Sequence, residues 1–492
     1  MSRPIQSVVV LGGGSAGLLS ALTLKSMLPS LSVTIVHSSD VPAVNVGEST
    51  TSLVPRFLHQ GLGLDVEAFY REVQPSWKLG IRFVDWGQPG TSHFYYPFDG
   101  SGNARTQGLS KEESYFYFAD GRVFSHFTEL MEQGLSPCFP QQDGTLAVDP
   151  NFGYHVDTGK FTRHLEATCR SCGITIINQP LSNIAVDGAN VQSLGFEDGS
   201  VVSGDLFVDS SGFRSRLLGD SLSEPFISYA DDLFCDTAVF GGWARDSGVL
   251  PYTSCVTMDH GWSWQIELSD RVSRGYVFSS AFCDAAAATD ELRSVCPLLE
   301  DEVRTVQFRS GRYQRTWVNN VVAIGNASGF VEPLESTGLH MIAVTARSVA
   351  QALIDCDLQP TDSLRNHVSS YLGEIWDDIR DCLTIHFAYN ATRNTPFWEH
   401  CKRQGCSSSI QPLIDFYLEN GPSSLGESLI ARNSIFRYDG YLANLIGQQV
   451  TTEYKFQPSS TDRQRWQAIK SRVRETTLHA LSMDQALSRT FQ

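Results

Sequence analysis

Residues 331–340 read VEPLESTGLH. Upstream, RTWVNNVVAIGNASGF has the pattern of a buried strand running into a glycine-rich turn, and downstream LHMIAVTARSVAQALIDC has helical apolar spacing. Glu335, Ser336 and Thr337 therefore fall where a strand hands over to a helix. A carboxylate there can favour the positive end of the helix, as Ser and Thr can cap its free N–H groups. It can also act as a general base or a stabiliser of developing positive charge. A second candidate is Lys78, set between Trp77 and Leu79 in the apolar stretch SWKLG. An ammonium desolvated in such a setting loses basicity and can work as an amine nucleophile or a hydrogen-bond donor.

The third candidate is Gly12-x-Gly14-x-x-Gly17, and its surroundings decide its meaning. In SVVVLGGGSAGLLSALTLKSMLP a short β-branched run precedes the glycines and a helical pattern follows, with the next strand, LSVTIVHS, at the expected distance. Gly12, Gly14 and Gly17, with Ser15 and Ala16 between them, allow a tight turn and bring backbone N–H groups up to a pyrophosphate at a helix N-terminus. A dinucleotide site is expected here. The acidic residue that normally ends the second strand to hold a ribose is replaced by His37, with Asp40 three residues on. No second fingerprint opens a later strand–helix–strand unit, so one dinucleotide is expected.

These groups need a large scaffold, and the chain provides one. Its 492 residues suit about three domain-sized units. A hydrophobic content of 41% with 18% charged residues describes a folded globular chain. The formal charge of −17 argues against nucleic acid or an anionic membrane as partner, since both require a cationic surface. The eleven cysteines are mostly scattered, and the lone CRSC at Cys169–Cys172 lacks the second ligand pair that a zinc site needs, so free thiols and no metal are expected. No apolar run reaches membrane-spanning length, and a cytoplasmic protein is expected.

Further stretches narrow the dinucleotide to FAD. SGDLFVDSSGFRSRLL (203–218) is similar to the central strand–turn element of FAD-containing hydroxylases, and NVVAIGNASGFVEPLESTGLH to their late flavin-binding element. DWGQPGTSHFYYPFDG and residues 238–282 carry aromatic-rich alternation suited to an antiparallel sheet that would roof a flavin. In order, VPAVNVGESTTSLVP, SWKLGIRFVDWG, GYHVDTGKF, LFVDSSGFRS, GWSWQIEL, GYVFSS, FRSGR and AIGNASGFVEPLESTG resemble the flavin-dependent halogenases of the tryptophan-halogenase family. The expected fold is α/β: a discontinuous FAD-binding module (1–85, 150–218, 305–357) of Rossmann-like, hydroxylase-like type, an antiparallel substrate-side sheet (86–149, 219–304), and a mainly helical C-terminal part (358–492) closing the substrate pocket.

The resemblance implies a chemistry. Reduced FAD and O₂ give a flavin hydroperoxide, and halide attack on it yields hypohalous acid, which is delivered to Lys78. Glu335, its expected partner, assists attack on the aromatic ring. Chloride or bromide would sit by Thr337 and Gly338. Gly47, Glu48, Ser49, Asn326, Ser336, Gly338 and Leu339 would join the fingerprint residues around FAD. Tyr96, Pro97 and Phe98, then Trp262 and Trp264, and Phe436, Tyr438 and Tyr441 would face the substrate side. The family's W-x-W-x-I-P signature is matched by Trp262, Trp264 and Ile266, with Glu267 in place of proline, which keeps a flavin-dependent aromatic monooxygenase open as the alternative. A redox sensor without turnover is disfavoured, because neither Lys78 nor Glu335 is needed to hold a flavin. The substrate expected is an electron-rich, indole-type aromatic other than free tryptophan. FADH₂ would come from a separate NADH-dependent flavin reductase, and a homodimer is compatible with all of this.

Overall fold

The computed structural model describes residues 3–40, 46–90, 92–99, 123–300, 302–455 and 457–490 of the chain. The stretch VPAVN (41–45) of one family-like motif lies outside the described residues. The fingerprint strand Ser7–Leu11 is central in a six-stranded sheet ordered Thr175–Asn178, Ser32–His37, Ser7–Leu11, Leu206–Asp209, Val321–Ala323 and Trp317–Val318. All pairings are parallel except the last, a hairpin. Its strands are nearly continuous runs of buried Val, Ile and Leu, as a sheet covered on both faces requires. The helices Ser15–Met27 and Gly338–Asp355 pack against it and share a core that includes Val8, Leu19, Ile35, Ile342 and Leu353.

A seven-stranded sheet runs Arg304–Gln307, Thr237–Ala244, Arg271–Phe278, Gly261–Glu267, Tyr252–Met258, Gly80–Val84, His93–Pro97. Neighbours are antiparallel, as the aromatic alternation indicates, with one exception. Tyr252–Met258 and Gly80–Val84 pair in parallel, an arrangement open to strands from distant parts of the chain that no hairpin joins. A second core, containing Phe83, Trp262, Trp376 and Tyr441, fills the space between this sheet and the C-terminal helices Asp362–Tyr389, Pro396–Gln404 and Arg437–Gly447.

A small sheet joins the two halves: Gly153–Val156 lies between Glu48–Ser49 and Ser76–Lys78. Its register puts Ser49 and Ser76 on either side of His155, and Lys78 opposite Gly153. Residues directly across a ladder share a face, and so do residues two apart along a strand. Ser49, His155, Ser76 and Lys78 are therefore brought together by register alone.

Candidate active site

Two helix N-termini form a cradle. Gly14 caps Ser15–Met27 and Thr337 caps Gly338–Asp355, and neither cap has a side-chain hydrogen bond. The first-turn N–H groups of both helices are thus left for a ligand. A Cβ added at Gly14 or at Gly338 would meet nothing within 4 Å, so open space faces the backbone at both places. Gly12, by contrast, has φ +127° and abuts the Ser210 backbone, and Gly17 abuts the Gly12 carbonyl. The two elements meet at Ala16, whose Cβ lies 2.8 Å from where a Cβ on Gly325 would stand. His37 packs against Gly13, whereas Asp40 and Asn326 are exposed and Leu339 is buried. Gly47 has φ +87°, and burial pushes the neighbouring Glu48 carboxyl up to about 7. These features fit a dinucleotide laid from one helix end to the other.

At the second helix end the sequence PLEST makes a 3-10 turn, Pro333–Glu335, closed by Ser336 in a left-handed conformation with φ +59°. That turn aims two side chains apart. Ser336 Oγ accepts from Lys78 Nζ at 2.7 Å. Glu335 turns to the long C-terminal helix, where His386 Nε2 lies 2.9 Å from Oε1 but off the axis of a hydrogen bond. Both carboxylate and imidazole are buried. Lys78 is wholly buried, and its Nζ stands 4.8 Å from the centroid of the Phe98 ring. Desolvation lowers its pKa to about 7, against opposing effects of the Cys255 thiol and the Glu335 carboxylate. A lysine so placed gives up its proton far more readily than an exposed one.

Glu335 opens on a cavity of about 770 Å³. Tyr96, Pro97, Phe98 and Phe436 line it, with His340 and Gly440. The other expected substrate-side residues do not. Tyr438 donates to the Ser423 carbonyl at 2.6 Å and Tyr441 to Asp378 Oδ1 at 2.7 Å, both fully buried on the core side of their helix. Trp262 and Trp264 lie in the second core, their rings 6.3 Å apart, and Trp262 Nε1 donates to Glu332 Oε2 at 2.5 Å.

The tryptophan halogenase family model matches residues 7–461. The chain belongs to that family. It is 30% identical over 459 residues to the tryptophan 6-halogenase ThaL of Streptomyces albogriseolus, covering 86% of this chain and 84% of that protein. It is 30% identical over 455 residues to the tryptophan 7-halogenase RebH of Lentzea aerocolonigenes, covering 85% and 82%. Among solved structures, MibH, a lanthipeptide tryptophan 5-halogenase, superposes with a TM-score of 0.90 at 34% identity over 99% of this chain and 93% of that one. Xcc4156, a flavin-dependent halogenase from Xanthomonas campestris, gives 0.88 at 25% identity over 99% of both. The protein is a flavin-dependent halogenase, and these likenesses favour halogenation over the monooxygenase alternative.

In this halogenase the departure at Glu267 is accommodated by a partner. The carboxylate is buried, ion-paired with Arg245 at 2.7 Å and bonded by Gln265 Nε2 at 2.7 Å. Sequence reading missed His386, His155, Thr253 and His340. None sits in a spacing pattern of its own: His155 lies in GYHVDTGKF, His340 ends VEPLESTGLH and Thr253 falls within 238–282, but other features of those stretches carried the reading. The eleven cysteines are free thiols, and among the described residues no cluster of His, Cys, Asp and Glu is set to hold a metal. No described helix is long and apolar enough to cross a membrane.

Proposed function

We propose that this halogenase uses reduced FAD, O₂ and chloride or bromide to halogenate an electron-rich aromatic of indole type, with Lys78 as the group that carries the oxidised halogen to carbon. The uncapped N–H groups at Gly14–Gly17 would hold the pyrophosphate and those at Thr337–Leu339 the flavin and a halide, with Gly47–Ser49, His37, Asp40 and Asn326 around them. Bound reduced FAD and O₂ supply the oxidising power that converts halide to hypohalous acid. The chain's own residues do the rest. Hypohalous acid is small and unselective, so it must be held, and the buried Lys78 amine can hold it by hydrogen bonding or as a haloamine. Glu335, lining the cavity, stabilises the cation formed when the ring is attacked and takes its proton.

The observation that carries this reading is a wholly buried lysine, bonded to the residue after the cavity-facing glutamate. A cavity of about 770 Å³ has room for more than an indole ring, and MibH is by its description a lanthipeptide halogenase. Both support a substrate in which the indole is part of a larger molecule. With one dinucleotide fingerprint, FADH₂ is expected from a separate NADH-dependent reductase. The test is mass spectrometry of products from indoles, tryptophan and tryptophan-containing peptides, with reduced FAD and either halide. Lys78→Ala should consume O₂ and release no halogenated product; full halogenation by it would overturn the reading.

A further inference from the structure

A chain of hydrogen bonds leads away from Lys78. Its Nζ donates to Ser336 Oγ (2.7 Å), Ser336 Oγ lies 3.1 Å from Ser49 Oγ, Ser49 Oγ lies 2.8 Å from Thr253 Oγ1, and Thr253 Oγ1 lies 2.8 Å from His155 Nε2. On the far side of the ring, His155 Nδ1 faces Ser76 Oγ at 3.4 Å. Ser76 Oγ itself donates to the Glu267 backbone carbonyl at 2.5 Å.

The far end sets every proton in the chain. Ser76 has one hydroxyl hydrogen and spends it on the Glu267 carbonyl, so its oxygen can only accept from His155. Nδ1 must then carry the hydrogen, and Nε2 presents a lone pair. Thr253 therefore donates to Nε2, Ser49 donates to Thr253, and Ser336 donates to Ser49. Ser336 is left to accept from Lys78, as its contact with a donor-only ammonium also demands. Orders imposed from both ends agree.

We propose that Ser336, Ser49 and Thr253 form an oriented proton path from Lys78 to His155, and that His155 holds the lysine's proton while the amine takes up halogen. The proposal rests on Lys78 as halogen carrier. One proton leaves the ammonium along the path and one arrives at Nε2, giving a neutral amine and an imidazolium. The amine nitrogen attacks hypohalous acid: an N–X bond forms, the O–X bond breaks, and the displaced hydroxide leaves as water with the amine's proton. The stored proton returns to the haloamine nitrogen. That nitrogen then keeps the N–X electron pair as X passes to the ring carbon, and the ring proton goes to Glu335. Return of that proton from Glu335 to the Lys78 amine restores the ammonium and the carboxylate, and the sum over the cycle is aromatic plus hypohalous acid giving haloaromatic plus water.

His155 suits brief storage. Burial, then the Lys78 and Arg245 cations, hold its basicity well below the ordinary histidine range. When Lys78 gives up its proton, one of those cations disappears, so His155 gains basicity as the proton arrives. Arg245 is itself ion-paired with Glu267, and His155 is wholly buried in its strand.

Two experiments test the path. In flavin-free protein labelled with ¹⁵N-histidine, long-range ¹H–¹⁵N spectra, with His155→Asn to assign the signal, should show His155 as the neutral Nδ1–H tautomer at pH 7. An Nε2–H tautomer would overturn the proposal. In turnover, Thr253→Val should lower halogenated product per O₂ about tenfold or more, with FAD affinity and O₂ consumption unchanged and Thr253→Ser restoring product. Parental product yield in Thr253→Val, with Lys78→Ala inactive, would refute the path alone. Halogenation by Lys78→Ala would instead refute the carrier role on which it rests.

Discussion

Lys78 donates to Ser336 and not to Glu335. The bond to Ser336 Oγ is 2.7 Å, whereas the Glu335 carboxylate one residue earlier turns to His386 at 2.9 Å. The left-handed Ser336 sends adjacent side chains in two directions: Ser336 faces Lys78 and Ser49, and Glu335 faces His386 and the cavity. A lysine paired directly with a carboxylate would be held charged. Left with a neutral hydroxyl, it is held by burial at a pKa of about 7.

His386 should matter as a positioning residue for Glu335. It is wholly buried, contacts Glu335 Oε1, and its Nδ1 lies 3.2 Å from the Cys382 carbonyl, which fixes the ring. His386→Leu should lower kcat by roughly 10²-fold with little change in KM, in line with the loss of a well-placed acid–base group, and His386→Gln should recover part of it. Steady-state halogenation kinetics decide; an unchanged kcat in His386→Leu would rule the role out.

The pKa of Lys78 has a consequence for stability. In the unfolded chain it titrates near 10.5 and in the folded chain at about 7. Below pH 7 both states are protonated, and the folded state bears the full cost of a buried charge. Between pH 7 and 10.5 the unfolded state binds more protons, so this group makes stability rise with pH, by up to about 1.4 kcal/mol per unit. Lys78→Met, which carries no charge at any pH, should thus exceed the parent in stability most at pH 6 to 7, the advantage shrinking toward pH 10. Paired denaturant titrations of flavin-free parent and variant measure this, and a constant difference across that range would contradict it.

Gly14 offers a clean test of the cradle. Its φ of −81° suits any residue, and a Cβ there meets nothing within 4 Å. Gly14→Val should fold with parental thermal stability and lose FAD affinity by at least about tenfold, because the branched side chain occupies the pyrophosphate's approach. Fluorescence titration with FAD would show parental affinity if the cradle is misassigned.

Gly440 shapes the cavity through Tyr96, whose hydroxyl lies against the place a Cβ would take. Gly440→Ala should swing that ring into the cavity. KM for bulky indoles should rise several-fold while small indoles are little affected, since only the free volume changes. Equal effects on both would argue that the cavity does not receive the substrate.

How far the sequence reaches can be seen residue by residue. The glycines of 12–17, the strand–helix alternation around them, and the strand-to-helix handover at Glu335 are local: tight turns and apolar periods follow from covalent geometry and neighbours a few positions away. Lys78 and Glu335 were legible through the motifs SWKLG and PLESTG that resemble the halogenase family, and the α/β architecture with its aromatic sheet and helical end followed from pattern and the same resemblance. The partners did not. Lys78 and Ser336 are 258 residues apart, and Thr253 and His155 are 98 apart; what sets them side by side is the packing of the Pro333–Glu335 turn and of the seven-stranded sheet against the small sheet that carries Lys78 and His155. Tyr438 and Tyr441 show the same limit on a helix: the sequence makes Arg437–Gly447 helical, but only packing against Asp378 and Ser423 decides that these rings face the core while Gly440 and Phe436 face the cavity. Local sequence sets which conformations a segment can adopt; which side chains meet is decided by long-range burial, and that belongs to the tertiary structure.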